Sequence, residues 1–190
     1  MTEDIPLRVF SRDVKPLSLR KLRDSLRTAD CPVSISLAIA GEAMDTELDT
    51  LDWEAAFIRW TQPELHDVYL LERVPFGTDE AIDAAVAQAL YITQQRPESG
   101  GKLLTADHLH RTKMIYTFQI MPALIADDDH PAWDGLDLAL RCVAENTEGI
   151  VYAEEEGFYD ADGELLLAVF DDEEETDEDT DSSDEDDLDT

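Results

Sequence analysis

Two runs of this chain, DVYLLERVP-FGTD-EAIDAAVAQALYITQQ (67–95) and KMIYTFQIMP-ALIADDDHP-AWDGLDLALRCVAEN (113–146), read as one unit written twice. In each, a Tyr stands six residues before a Pro, Tyr69 before Pro75 and Tyr116 before Pro122. A strand-like run ends near that Pro, an acidic cap follows, and an amphipathic helix comes next. In the first copy Val68, Leu70 and Val74 alternate with Tyr69, Leu71 and Arg73, the two-residue period of a strand. Pro75 removes a backbone donor and closes the ladder. Thr78 can cap the following helix, and Asp79 and Glu80 oppose the positive end of its dipole. Ile82, Ala85, Val86, Ala89 and Leu90 then share one helical face.

The second copy repeats this logic. Met114, Tyr116, Phe118 and Ile120 form one strand face, with Ile115, Thr117, Gln119 and Met121 on the other. Asp127 to Asp129 supply acid before Pro131, which suits a first helical turn. Trp133, Leu136, Leu140, Val143 and Ala144 make an apolar stripe, and Gly149 suits a helix stop. Between the copies Lys102 to His110 reads as a strand, and Ile150 to Ala153 as a short one. The order strand, helix, strand, strand, helix, strand is the split β-α-β pattern of ferredoxin-like folds. It predicts an α+β domain over 31–170, with repeat halves at about 67–110 and 113–155. Two helices on one face of an antiparallel sheet would bury Ile82 and Leu140 in one shared core.

Outward from this unit, Val33, Ile35, Leu37 and Ile39 face one way in a strand, with the small Ser34, Ser36, Ala38 and Ala40 opposite. Gly41 to Asp52 reads as an acidic loop and Trp53 to Trp60 as another strand. These two strands extend the sheet on its N-terminal side. Met1 to Pro16 is an extended lead-in with Leu7, Val9 and Phe10 able to dock. Ser18 caps SLRKLRDSLRTA, a helix with Leu19, Leu22 and Leu26 on its seam and Arg20, Lys21, Arg23 and Arg27 around it, completing a basic segment over 1–30. Its narrow seam fits a peripheral helix held by three Leu better than a membrane-surface helix. Asp162-Gly163 signals a hairpin turn before a last strand, Glu164 to Phe170. Residues 171–190 hold one apolar side chain, Leu188, and cannot bury a core, so disorder is expected.

The formal net charge is −32, unevenly spread. Residues 1–27 hold seven bases and four acids, whereas residues 171–190 hold 14 acids and no base. The negative body repels phosphate, which argues against nucleic acid as a partner. No run approaches the roughly 20 apolar residues a membrane span needs, and the N-terminus has no long apolar stretch, so a cytoplasmic protein is expected. Cys31 and Cys142, without CxxC spacing, read as two reduced, partly buried thiols.

Asp107-His108-Leu109-His110 is the best metal candidate. On a strand both imidazoles would project to one face beside the carboxylate and could hold Zn or another divalent transition metal. No spacing identifies further ligands, and exposed strand histidines are the simpler account. Asp160-Ala161-Asp162-Gly163 resembles part of a calcium loop, but its frame puts Phe158 and Val169 at ligand positions that require oxygen, so an ordinary turn is expected. There is no GxSxG, P-loop or Rossmann glycine pattern. The composition favours a non-catalytic interaction or regulatory module over an enzyme. Its tail would engage a basic protein partner or the chain's own N-terminal helix, and the helix or sheet faces would be open to a homodimer. The alternative is a small metal-dependent enzyme or metal binder centred on His108 and His110.

Overall fold

The computed structural model describes residues 7–39, 42–44, 48–50, 52–62, 64, 66–127, 129–154 and 156–169, with the side chains of 42–44 and 123 left aside. The acidic tail 171–190, Ala40, Asp128 and Phe170 lie outside the described residues. In chain order the elements are β1 (Leu7–Ser11), α1 (Leu19–Thr28), β2 (Val33–Ile39), β3 (Glu42–Met44), β4 (Ala55–Trp60) and β5 (His66–Pro75). They continue with α2 (Glu80–Gln95), α3 (Gly100–His110), β6 (Met114–Ile120), α4 (Pro122–Ile125), α5 (Ala132–Asn146), β7 (Gly149–Ala153), β8 (Gly157–Tyr159) and β9 (Leu165–Ala168).

The nine strands form one sheet in the order β3-β2-β4-β5-β6-β1-β7-β8-β9. Every pairing is antiparallel. The two Tyr-bearing strands are neighbours, with Arg73 opposite Tyr116 and Tyr69 opposite Ile120. The N-terminal run is not a loose lead-in. β1 lies between β6 and β7, with Val9 opposite Tyr116 on one side and Val151 on the other.

Consecutive residues of β1 enter different cores, because successive side chains of a strand point to opposite faces. Val9 packs with α1 and α5 in a cluster that includes Leu22, Trp53, Tyr69, Tyr116, Phe118 and Leu140. Phe10 packs with α2 and α3 in a second cluster that includes Val86, Leu109, Ile115, Tyr152 and Phe158. The molecule is therefore a three-layer arrangement with helices on both faces. This corrects the expectation of two helices over a shared core: Leu140 belongs to the first cluster and Ile82 packs against the second. The physical reason lies in the central strands. Met114, Ile115 and Tyr116 are buried in succession, as is all of β7, so the sheet carries apolar surface on both faces and each needs a cover.

The strand expected over 102–110 is also corrected. That segment is helix α3, capped by Ser99, whose Oγ accepts from the Lys102 N–H at 3.1 Å. With it the strand-helix-strand-strand-helix-strand order gives way, and β1 instead of β5 flanks β7. Smaller adjustments follow local chemistry. The cap of α2 is Asp79, whose carboxylate accepts from Ala81 and Ile82, while Thr78 Oγ1 donates to the Pro75 carbonyl. The left-handed residue after α5 is Glu148, with φ of 49°. Gly149 instead opens β7, where a Cβ would come within 2.6 Å of Val9 Cγ1. Part of the expected acidic loop is strand β3, and α4 is a short helix no periodicity announces.

Candidate functional site

The three metal candidates sit on α3, and the helix separates them. Residues two apart on a helix point about 200° from each other. His108 turns inward, 6% exposed, and its Nε2 lies 2.8 Å from the Phe10 carbonyl oxygen. A carbonyl only accepts, so Nε2 carries the proton and donates. His110 is exposed, and Asp107 pairs with Arg111 one turn on at 2.8 Å. Among the described residues no group of three or more His, Cys, Asp or Glu is placed to hold a metal ion.

Burial pushes the His108 pKa below its ordinary 6.5, against the opposing pull of the Phe10 hydrogen bond, with Arg12 and Asp107 as the nearby charges. A depressed folded-state pKa means that His108 contributes stability above pH 6.5 that is lost as pH falls through the folded value. His108→Gln, which keeps an amide donor without a titrating ring, should flatten the loss of stability between about pH 7 and pH 5. Urea midpoints across that range check this, and equal slopes for the two proteins would refute it.

Both cysteines are free and buried, and burial raises both thiols, which keeps them protonated and unreactive. The calcium-like run is a turn. Asp160 Oδ1 accepts from the N–H groups of Asp162 and Glu164, each at 2.9 Å, and Gly163 takes φ of 85°.

Two surface features remain. The first is α1. Leu19, Leu22 and Leu26 are all buried, which fixes its seam on the first cluster and leaves Arg20, Lys21 and Asp24 outward beside Ser18, Ser25 and Thr28. Arg20 pairs with Asp49, Arg23 with Asp24, and Arg27 Nε donates to the Val33 carbonyl at 2.9 Å. The chain leading into α1 is clasped at Leu17. Its N–H donates to Tyr116 Oη at 3.0 Å, and its carbonyl accepts from Trp53 Nε1 at 3.0 Å.

The second is a groove of about 290 Å³ beside α5, where Leu136, Leu140, Val151 and Ala153 form an apolar floor. Asp137, Glu156 and Asp160 stand at its rim with Arg141 as the base. Tyr159 Oη donates to Glu156 at 3.0 Å, and burial followed by that bond raises the phenol's pKa. The sequence reading assigned Leu136 and Leu140 to core. Both are buried in the first cluster, as that reading expects, and reach the groove only as part of its floor. Neither feature holds an activated nucleophile.

Among the described residues no helix is long and apolar enough to cross a membrane. Comparison with protein-family models, curated proteins and solved structures gave no match.

Proposed function

We propose that this chain is a non-catalytic interaction module whose acidic tail engages a basic protein surface and, when no partner is bound, the chain's own α1. The observation that carries this reading is the polarity of charge. Fourteen carboxylates lie within residues 171–190 with no base, while the first 27 residues hold a net positive charge. The buried Leu seam of α1 supports it, because the seam turns Arg20 and Lys21 outward. Such a tail gives long-range attraction, faster encounter and strong salt dependence.

Deleting residues 171–190 should speed tryptic cleavage at the bases of α1 in low salt, and high salt should abolish the difference. A cleavage rate unchanged by the deletion in low salt would remove the intramolecular contact. Loss of salt-sensitive binding to a polylysine probe on the same deletion tests the partner half of the reading separately.

A further inference from the structure

The outer side of the α2–α3 pair is built against the pattern of the rest of the chain. One residue in three is charged overall (32%), yet none is charged between Asp83 and Arg96. Along α2 the exposed positions after the first turn are Ala84, Ala87, Gln88, Tyr91, Gln94 and Gln95, on one face at helical spacing. The solvent sides of α1 and α5 carry Arg20, Lys21, Asp134, Asp137 and Glu145 instead. On α3 the leucines are divided, with Leu109 buried and two others outward. Thr105 and His108 point inward, while Leu103 and Leu104 are 64% and 63% exposed. Tyr91 is 63% exposed as well. Lys102 Nζ donates to the carbonyls of Gln94 and Arg96, so the first turn of α3 folds back on the last turn of α2 and places Leu103 and Leu104 beside its C-terminal end.

We propose that this face is where two copies of the chain meet. Charge selects the occupant. Two copies at −32 repel wherever carboxylates oppose carboxylates; the α2 side carries no charge beyond its first turns, and the exposed Asp107–Arg111 pair on the α3 side cancels, so this face lets them approach without that cost. The exposed alanines permit close helix approach, and a two-fold axis sets each copy's Tyr91, Leu103 and Leu104 against the same face of the other. The 16-residue α2 is about 24 Å long, and two helices side by side give a footprint on the order of 500 Å² per copy. That matches the small end of specific interfaces, hence a weak, concentration-dependent dimer. It does not depend on the tail's role.

Sedimentation velocity of the full chain over a concentration series, in low and high salt, tests this. The expected result is a monomer–dimer equilibrium that salt strengthens by screening like charge. The double variant Leu103→Glu/Leu104→Glu should weaken the dimer at least about tenfold while circular dichroism stays unchanged. Gln88→Cys gives a thiol on this face, the native cysteines being buried, and should form an intermolecular disulfide on oxidation. A monomer at every concentration in high salt would overturn the proposal. So would a dimer that Leu103→Glu/Leu104→Glu leaves intact.

Discussion

Gly101→Ala should destabilise the protein by about 2–3 kcal/mol, while Gly100→Ala, one residue earlier, should be neutral or stabilising by up to about 1 kcal/mol. Both glycines open α3, where alanine is ordinarily the better helix former. They differ in what lies outside the helix. A Cβ on Gly100 meets nothing within 4 Å, whereas one on Gly101 overlaps the Leu166 carbonyl oxygen and lies 2.9 Å from its carbon. The obstacle is backbone of an edge strand, so no rotamer change relieves it. The methyl must push α3 away from β9 and loosen the packing around Leu109, which is 1% exposed. For a chain of this size the loss corresponds to roughly 5–10 °C in Tm. Paired thermal melts of the two variants decide the matter, and equal melting temperatures would show that α3 does not rest on β9 in this way.

Trp53→Ala should be costlier still, about 3–5 kcal/mol. The indole is 2% exposed and packs beside Tyr116, with ring centroids 6.1 Å apart, and the Arg73 guanidinium lies 5.2 Å from its centroid. Its N–H is one half of the clasp on Leu17, so removing it empties a large volume and leaves the Leu17 carbonyl unpaired in a buried place. Trp53→Phe keeps much of the volume and should cost less, isolating the hydrogen bond. Tyr116→Phe removes the other half of the clasp and should couple with Trp53→Phe, because both act on one peptide unit. Urea unfolding of the single and double variants measures that coupling, and strict additivity would deny the clasp.

What could be read in the sequence was local. Leu19, Leu22 and Leu26 fall at helical spacing, and Val33, Ile35, Leu37 and Ile39 alternate, so each face is inferred from its own run; all are buried except Ile39, which is half-exposed at the end of β2. The stripe Leu136, Leu140, Val143 and Ala144 on α5 behaves the same way. A helical stripe states that it is covered without stating by which side of a sheet. The two stripes of Ile82 and Leu140 are therefore compatible, from sequence, with one core. α3 escaped for a different reason: two glycines stand at its start, and its inward face mixes Thr105, His108 and Leu109 while Leu103 and Leu104 point out. No apolar period survives that arrangement, and His108 and His110 converge only if the segment is a strand. The central place of β1 is set by partners more than 100 residues away, among them Tyr116 and Val151, and five residues of local pattern do not contain it.

Among the described residues β9 ends the sheet, with β8 as its one hydrogen-bonded neighbour. A sheet edge is a template on which another chain can add a strand and begin to aggregate, and here the start of α3 covers only part of it, with Gly101 against the outward Leu166 carbonyl. Here the edge strand's last residue, Ala168, stands three positions before the run of 14 carboxylates begins. A second copy stacking its own β9 in parallel on that edge would bring its acidic run alongside the first. The charge proposed to draw in a basic partner would therefore also act as a gatekeeper against fibrillar stacking of the protein on itself.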